Sequence, residues 1–217
     1  MADFTPLDRA GIAARIARDI PEGWFVNLGI GIPTGVSDFV PEEREVIFHS
    51  ENGVIGLGPA PPAGEENPYL VNAGVQHVTL RTGGAYVHHA DSFAIARGGH
   101  LDLCVLGAFE VAENGDIANW AHSSDEPVKQ VGGAMDLAVG AKRLWVAMEH
   151  NTRGGGFRIR GRCGYPLTAR GVVRRVYTDL AVLDVTPDGF VVRDMVPGLT
   201  FAALQERTEA RLRGGQT

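Results

Sequence analysis

The apolar positions of the chain begin with a helical stripe. Ile12, Ile16 and Ile20 recur every four residues, which is the spacing of one buried helix face. Thr5 precedes the stripe with a side chain that caps helices well. The pattern therefore predicts a helix that is capped by Thr5 and ends at Pro21-Glu22-Gly23.

Short apolar runs, bounded by Gly, Pro, Asn and Asp, predict the strands of a sheet. The run Val46-Ile47-Phe48 leads to Glu51, and Thr186-Pro187-Asp188-Gly189 is a clear hairpin turn. A further turn is expected at Glu113-Asn114-Gly115-Asp116. In chain order, the other predicted strands are Trp24–Leu28, Gln76–Arg81, Ala85–His88, Leu101–Leu106, Ile117–Trp120, Arg143–Glu149, Leu180–Val185 and Phe190–Arg193.

Helical segments between these strands complete the predicted fold. A short helix is expected over Thr34–Phe39, a second from Gly132 to Ala141 and a third from its cap Thr200 to Arg211. Residues 51–69 are rich in glycine and proline and are predicted to form a long ordered loop. We expect one α/β domain over 1–217, with a mixed, largely parallel sheet flanked by helices, and fraying at 214–217.

Composition narrows the classes of function. The chain has 217 residues, of which 44% are hydrophobic and 21% charged, so it has enough apolar residues for a substantial core. A net charge of −6 argues against a nucleic-acid-binding protein. No apolar run approaches the length of a membrane span. Cys104 and Cys163 lack metal-type spacing, and a cytoplasmic, reducing location is expected.

The segment around Glu51 is the strongest candidate for chemistry. Glu51 follows a predicted buried strand, and ligands of sheets with helical crossovers bind at the carboxyl ends of strands. Asn52-Gly53 and the glycine-spaced Gly56-Leu57-Gly58-Pro59 follow, where a backbone or ligand can approach closely. The alternatives are an ordinary tight turn at Asn52-Gly53 and a solvated surface carboxylate.

Two other patterns suggest competing chemistry. Gly29, Gly31 and Gly35 resemble a dinucleotide-binding turn, although Pro33 lies within it and the following predicted helix is short. Adjacent His88-His89 suggests a metal site, but neighbouring residues on a strand face opposite sides. No hydrolase nucleophile elbow and no phosphate-binding P-loop occur.

Taken together, the segments resemble the B (beta) chains of the 3-oxoacid CoA-transferases, over about residues 8–208. The resemblance depends on motifs that occur in order along the chain. They are Val26-Asn27-Leu28-Gly29-Ile30-Gly31-Ile32-Pro33-Thr34, Ser50-Glu51-Asn52-Gly53, Ala90-Asp91-Ser92-Phe93, Arg97-Gly98-Gly99-His100-Leu101-Asp102, Gly132-Gly133-Ala134-Met135-Asp136-Leu137 and Tyr177-Thr178-Asp179-Leu180-Ala181-Val182.

The resemblance implies covalent CoA transfer. Glu51 would be the nucleophile and would carry CoA as a glutamyl thioester in a ping-pong mechanism. Backbone around Leu28–Gly29 and Gly132–Gly133, together with Gly31, would contact CoA or stabilise oxyanions, and Asn52 would orient Glu51. Coenzyme A esters would be substrates, and no metal or redox cofactor is needed.

The resemblance also implies a partner and a substrate class. A separate alpha subunit would complete the active site in an α2β2 or αβ assembly. Phe48-His49-Ser50-Glu51 and Gln76-His77-Val78-Thr79-Leu80 look most like the branch that uses succinyl-CoA and 3-oxoadipate, in the breakdown of aromatic compounds. Acetoacetate is the alternative acceptor. A thioester hydrolase, a non-catalytic CoA-ester-binding module and a dinucleotide-dependent oxidoreductase are the other hypotheses.

The glycine-rich stretch Arg153–Arg162 departs from the pattern of these relatives, which are usually richer in lysine there. This departure leaves the contacts of that loop open and does not bear on the proposed chemistry.

Overall fold

The computed structural model describes residues 4–123 and 132–214 of the chain. In chain order the named elements are α1 (Arg9–Asp19), β1 (Phe25–Leu28), a 3₁₀ helix (Ile32–Phe39), β2 (Ile47–Ser50), β3 (Val54–Leu57), β4 (Leu80–Tyr86), α2 (His89–Arg97), β5 (Leu103–Leu106), β6 (Glu110–Ala112), β7 (Ile117–Ala118), α3 (Ala134–Gly140), β8 (Leu144–Ala147), β9 (Ile159–Arg160), β10 (Val173–Tyr177), β11 (Ala181–Thr186), β12 (Gly189–Met195), α4 (Phe201–Gln205) and β13 (Leu212–Gly214).

Within the described residues, ten strands form one mixed sheet in the order β13-β12-β11-β10-β8-β5-β1-β2-β3-β4. The pairings from β10 through β8, β5 and β1 to β2 are all parallel. Antiparallel strands extend this block on both sides, β11 and β12 beyond β10, and β3 and β4 beyond β2. The predicted α/β class with a mixed, largely parallel sheet is confirmed.

The apolar character of the central strands follows from helices on both faces of the sheet. β5 and β8 are buried at every residue, as expected for parallel strands that are covered on both sides. α1 contributes Ile12 and Ile16 to the core on one face, where they join Phe48 of β2. On the other face, Leu137 of α3 packs with Leu144 of β8.

The first helix begins later than the sequence pattern predicts. Its cap is Asp8 and not Thr5, because the Asp8 carboxylate accepts a hydrogen bond from the Gly11 N–H at 2.7 Å. The predicted buried stripe is confirmed, since Ile12, Ile16 and Ile20 are almost completely buried.

The predicted long loop over residues 51–69 is wrong in its first part. Residues 54–57 form β3, which returns from β2 as an antiparallel hairpin. Gly53 permits the tight turn, because its φ is +109° and a Cβ there would lie 2.4 Å from the Val87 carbonyl oxygen. In the first part of residues 51–69 the glycines therefore belong to a closely packed hairpin and not to an irregular loop.

Three other boundaries differ from the predictions. The strands predicted at 76–81 and 85–88 are one strand, β4. Besides β3, the elements that were not predicted are α2, β6, β9, β10 and β13. The predicted final helix ends at Gln205 and not at Arg211, because the following residues form β13 beside β12. Gly214 lies in β13 and so is not frayed, while 215–217 lie outside the described residues.

None of the helices in the described ranges is both long and apolar enough to cross a membrane.

Replacing Ile16 with alanine should lower the free energy of unfolding by about 2–5 kcal/mol, because it leaves a cavity beneath α1. Ile16 is 0% exposed. Urea denaturation followed by circular dichroism measures the change. Arg18→Ala, on the exposed face of the same helix, is the control and should change the unfolding free energy by less than about 0.5 kcal/mol. Equal effects of the two substitutions would contradict this packing.

Candidate active site

Glu51 lies directly after β2, at the carboxyl end of a parallel strand, as the sequence predicts. The turn that follows is held by a 3.0 Å hydrogen bond from the Gly53 N–H to the Ser50 carbonyl oxygen. His89, at the start of α2, lies 2.9 Å through its Nδ1 from the backbone carbonyl oxygen of Glu51. Backbone contacts on two sides therefore fix the position of the backbone from which the Glu51 side chain extends.

The Glu51 carboxyl group is only partly satisfied by its surroundings. Its Oε2 atom is buried and has no hydrogen-bond partner among the described residues. Burial raises the pKa of Glu51 above its ordinary value, while its own backbone, a hydrogen bond from the Asn27 side chain and the nearby His89 partly offset that rise. A partly buried, under-satisfied carboxylate with a raised pKa is typical of a functional site and costs stability in the folded state.

Beneath Glu51 lies a buried polar chain that was not predicted from the sequence. The Asn27 Nδ2 atom lies 2.9 Å from His49 Nδ1, and His49 Nε2 lies 2.9 Å from Ser92 Oγ. The Ser92 hydroxyl in turn donates to the Ser50 carbonyl oxygen at 3.3 Å. All three side chains are fully buried. The chain ties β1, β2 and α2 together immediately below the turn that carries Glu51.

The tautomer of His49 follows from its two neighbours. The Asn27 amide nitrogen is a donor, so His49 Nδ1 accepts, and Nε2 then carries the hydrogen that Ser92 Oγ accepts. Burial lowers the pKa of His49 to about 4, so the ring is neutral near pH 7. His49 is therefore a fixed, uncharged support and not an acid or base at neutral pH.

A cleft of about 500 Å³ brings Glu51 together with the predicted glycines. Gly29, Gly31, Gly132 and Gly133 all line it, although they come from two distant parts of the sequence. The structure thus assembles around Glu51 most of the residues that were predicted for the site. Because glycines line the cleft on two sides, a ligand can approach the backbone there without meeting a Cβ atom.

The backbone at Leu28 and Gly29, which was predicted to contact CoA or an oxyanion, has a different role in the structure. The Gly29 N–H donates to the Val105 carbonyl oxygen at 2.8 Å, as part of the pairing between β1 and β5, so it is not available to an oxyanion. Leu28 is buried in the core and does not line the cleft. At Gly133 a Cβ atom would lie 2.4 Å from the Phe93 ring, so glycine is needed there for packing.

Asn52 does not occupy the orienting position predicted for it. Its side chain is exposed and donates to the Val71 carbonyl oxygen at 2.7 Å, which holds the following loop against the hairpin. The side-chain amide that lowers the pKa of the Glu51 carboxyl group is that of Asn27 and not that of Asn52. Asn27 was not predicted, although a lone asparagine in the apolar run Phe25–Leu28 is a recognisable signal for a buried polar contact.

The two histidines considered for a metal site serve two different contacts. His88 caps α2, since its Nδ1 accepts from the Ala90 N–H at 3.1 Å, whereas His89 contacts the Glu51 backbone. The glycine turn considered for a dinucleotide leads into the 3₁₀ helix with Pro33 in its first turn. A dinucleotide turn opens an α-helix whose N-terminus binds the pyrophosphate, so the local geometry differs from that motif.

Comparisons with known proteins show the family of the chain and its fold. The sequence profile of the family described as Coenzyme A transferase matches residues 9–207. The beta chain of the 3-oxoadipate CoA-transferase of Acinetobacter baylyi is 52% identical over 96% of both chains. The beta chain of a probable succinyl-CoA:3-ketoacid coenzyme A transferase of Bacillus subtilis is 44% identical over 93% of both.

A solved structure shares the fold at low sequence identity. It is an acyl-CoA transferase of Escherichia coli O157:H7 in a thioester complex with CoA, with a TM-score of 0.75 and 21% identity. The match covers 99% of this chain and 43% of that chain, so this chain spans less than half of the solved protein.

Fold and cleft together describe an α/β protein with a cleft at the carboxyl ends of its parallel strands, lined by Glu51. Because the family profile and the curated relatives cover nearly the whole length, the chain belongs to the coenzyme A transferase family, as a chain of the beta type. The family resemblance recognised in the sequence is confirmed.

Replacing Glu51 with glutamine should stabilise the folded chain at pH 7, because it removes a charge that burial disfavours. A carboxyl group with a raised folded-state pKa stabilises the fold at low pH and loses that contribution as pH rises through its pKa. The advantage of the variant should therefore vanish below about pH 4. Urea unfolding at a series of pH values measures it, with the exposed Glu65→Gln as control. A variant that is less stable at pH 7 would contradict the described environment of Glu51.

Proposed function

We propose that this chain is the glutamate-bearing subunit of a transferase that moves CoA from succinyl-CoA to 3-oxoadipate. The observation that carries the proposal is the partly buried Glu51 carboxylate, whose buried Oε2 is unpartnered among the described residues, in a glycine-lined cleft. The assignment of the acids is supported by the beta chain of Acinetobacter baylyi, and by that of a second 3-oxoadipate CoA-transferase, from Pseudomonas putida, which is also 52% identical.

In the proposed first half-reaction CoA is transferred to Glu51, and the new glutamyl thioester retains the energy of the thioester bond of succinyl-CoA. Its carboxylate oxygen attacks the thioester carbonyl carbon of succinyl-CoA, and the carbon–sulfur bond breaks with the electron pair leaving on the CoA thiolate. The thiolate then attacks the glutamyl carbonyl of the resulting mixed anhydride. Succinate leaves as a carboxylate, and CoA remains as a thioester of Glu51.

The second half-reaction runs the same steps in reverse with the acceptor acid. The acceptor carboxylate attacks the glutamyl thioester, which releases CoA thiolate and forms a new anhydride. The thiolate attacks the acceptor carbonyl, and the Glu51 carboxylate is regenerated. No net proton is consumed and no water takes part. Because succinate leaves before the acceptor acid reacts, kinetics of the ping-pong type follow.

The environment of Glu51 suits this role. A carboxylate that is partly withdrawn from water loses part of its hydration shell. Its oxygen then has fewer bound waters to shed before it attacks. Each attack also develops charge on a carbonyl oxygen. Gly132 and Gly133 line the cleft and are the proposed sources of backbone N–H donors for that charge. Loss of one such donor commonly costs on the order of 10²–10³ in rate.

The identity of the acceptor acid is the more specific part of the proposal. The relative of Bacillus subtilis supports a 3-ketoacid such as acetoacetate as the alternative. Parallel assays with 3-oxoadipate and acetoacetate separate the two. A thioester hydrolase on the same scaffold would instead release CoA when no acceptor acid is present.

The proposal includes a second polypeptide. Related chains are named as one of two subunits, which implies an alpha partner. Ile30 lines the cleft and is 64% exposed, so an apolar side chain is left open at its rim. We propose that the alpha subunit covers this rim and helps to keep water from the anhydride and thioester, in an αβ or α2β2 assembly. A cytoplasmic location remains a prediction.

Glu51→Gln, in complex with the alpha subunit, should lower CoA transfer from succinyl-CoA to 3-oxoadipate by at least about 10⁴-fold, because an amide cannot form the anhydride. The measurement is formation of 3-oxoadipyl-CoA under initial-rate conditions. Glu113→Gln, which lies outside the cleft, is the matched control and should retain full activity. Substantial transfer by the Glu51 variant would end the covalent mechanism.

The isolated chain should be nearly inactive and should gain activity when the alpha subunit is titrated in, because the cleft is open at Ile30. The measurement is the transfer rate at increasing ratios of the alpha subunit, which should saturate at a fixed stoichiometry. A transfer rate of the isolated chain equal to that of the complex would contradict the need for a second polypeptide.

A further inference from the structure

The cleft contains two arginines on the side formed by α1 and the segment before β9. Arg9 and Arg158 both line it, and both face Glu149, which lines it as well. The proposed chemistry at Glu51 uses neither arginine. The sequence pattern gave the Arg153–Arg162 stretch no role, so Arg158 is a charged group at the cleft with no function assigned to it.

The guanidinium of Arg158 is only loosely engaged. Its nearest carboxylate contact is Nη2 to Glu149 Oε2 at 3.9 Å, which is too long for a hydrogen bond. Its Nε atom is buried and lacks a hydrogen-bond partner among the described residues. A guanidinium carries five N–H donors in a planar fork that matches a carboxylate. Arg158 therefore has unused donors at the wall of the cleft.

The backbone of Arg158 is fixed, although its donors are not used. Its carbonyl oxygen accepts from the Val111 N–H at 2.9 Å, and the next residue, Ile159, is fully buried in the pairing of β9 with β6. The side chain thus starts from a rigid strand. Fixed side chains recognise charge more precisely than side chains on mobile loops.

Arg158 is better placed than Arg9 to bind a charged group. The Arg158 side chain is 23% exposed, whereas that of Arg9 is 71% exposed and lies at the first residue of α1. Charges in contact with water are screened and bind weakly, while a partly buried guanidinium interacts more strongly with an anion. Glu149 contacts both arginines, and Asp179 also interacts electrostatically with Arg158, so a ligand carboxylate would compete with these two carboxylates for the Arg158 donors.

We propose that Arg158 binds the second carboxylate of dicarboxylic acyl groups and so selects for them over monocarboxylic ones. This inference rests on the proposed function, because it takes the acyl group to be attached at Glu51. Both proposed acids have two carboxylates, of which one reacts and the other stays ionised. The same guanidinium therefore serves the succinyl group in the first half-reaction and the acceptor in the second.

The test compares succinate with monomethyl succinate, which keeps one carboxylate and lacks the second charge. Each is measured as an inhibitor of CoA transfer by the complete complex with the alpha subunit. The wild-type complex should bind succinate more tightly than its monoester. In Arg158→Gln that preference should fall by about 10- to 100-fold and kcat/KM for succinyl-CoA should fall by a similar factor, as expected for a lost hydrogen bond to a charged group.

Two further variants keep the test decisive. Arg158→Lys retains the charge without the fork and should give an intermediate preference. Arg162→Gln removes an arginine of the same stretch that lies outside the cleft, and it should leave the preference unchanged. The melting temperature of each complex shows whether it is folded.

The outcomes separate the two proposals. A wild-type complex that transfers no CoA from succinyl-CoA to any acid would refute the proposed function. If the wild-type complex is active, an unchanged preference in Arg158→Gln would overturn the role of Arg158, whether kcat/KM falls or not. A fall in the preference that Arg158→Lys partly restores would support it.

Discussion

The proposed site depends on keeping one carboxylate largely shielded from water at the tip of β2. Burying a charged group without full hydrogen bonding costs free energy, and Glu51 has a buried Oε2 with no partner among the described residues. The surrounding structure holds the backbone on either side of this carboxylate, through Gly53 and His89. Such local costs are typical of functional sites, where reactivity is retained at the expense of stability.

The support beneath this carboxylate is neutral and rigid. Asn27, His49 and Ser92 form a continuous chain of polar contacts that is wholly buried, and the low pKa of His49 keeps the ring uncharged near pH 7. A fully satisfied buried network specifies one arrangement of the elements that it joins. Here it joins β1, β2 and α2, so the position of Glu51 is determined by the sheet and not by a loop.

The parts of the fold that local patterns determine were predictable from the sequence. Apolar runs predicted β1, β5 and β8, because strands covered on both faces do not alternate between apolar and solvent-exposed polar residues. The hairpin of β11 and β12 was marked by its turn residues. β3 was missed, since it lies in a glycine- and proline-rich stretch typical of a loop, and its one glycine, Gly56, is explained only by close contact with Gly84 of β4.

The candidate site was predictable in the same uneven way. Glu51 and the glycines of the cleft stood in recognisable motifs, but the role of Asn27 required knowledge of which strand lies beside β2. The orienting role predicted for Asn52 was wrong, because a residue next to Glu51 in the sequence can point its side chain elsewhere at a turn. Arg158 had no local signal at all, since only the pairing of β9 with β6 fixes its backbone beside the cleft.

The most direct measurement of the central claim is the mass of the protein after it meets one substrate. The complex with the alpha subunit is mixed with succinyl-CoA alone, quenched in acid and digested, and its peptides are analysed by mass spectrometry. The covalent mechanism predicts CoA attached through a thioester to the peptide that contains Glu51, and its loss when 3-oxoadipate is added before the quench. An unmodified Glu51 peptide from a complex that is active in transfer would contradict that mechanism.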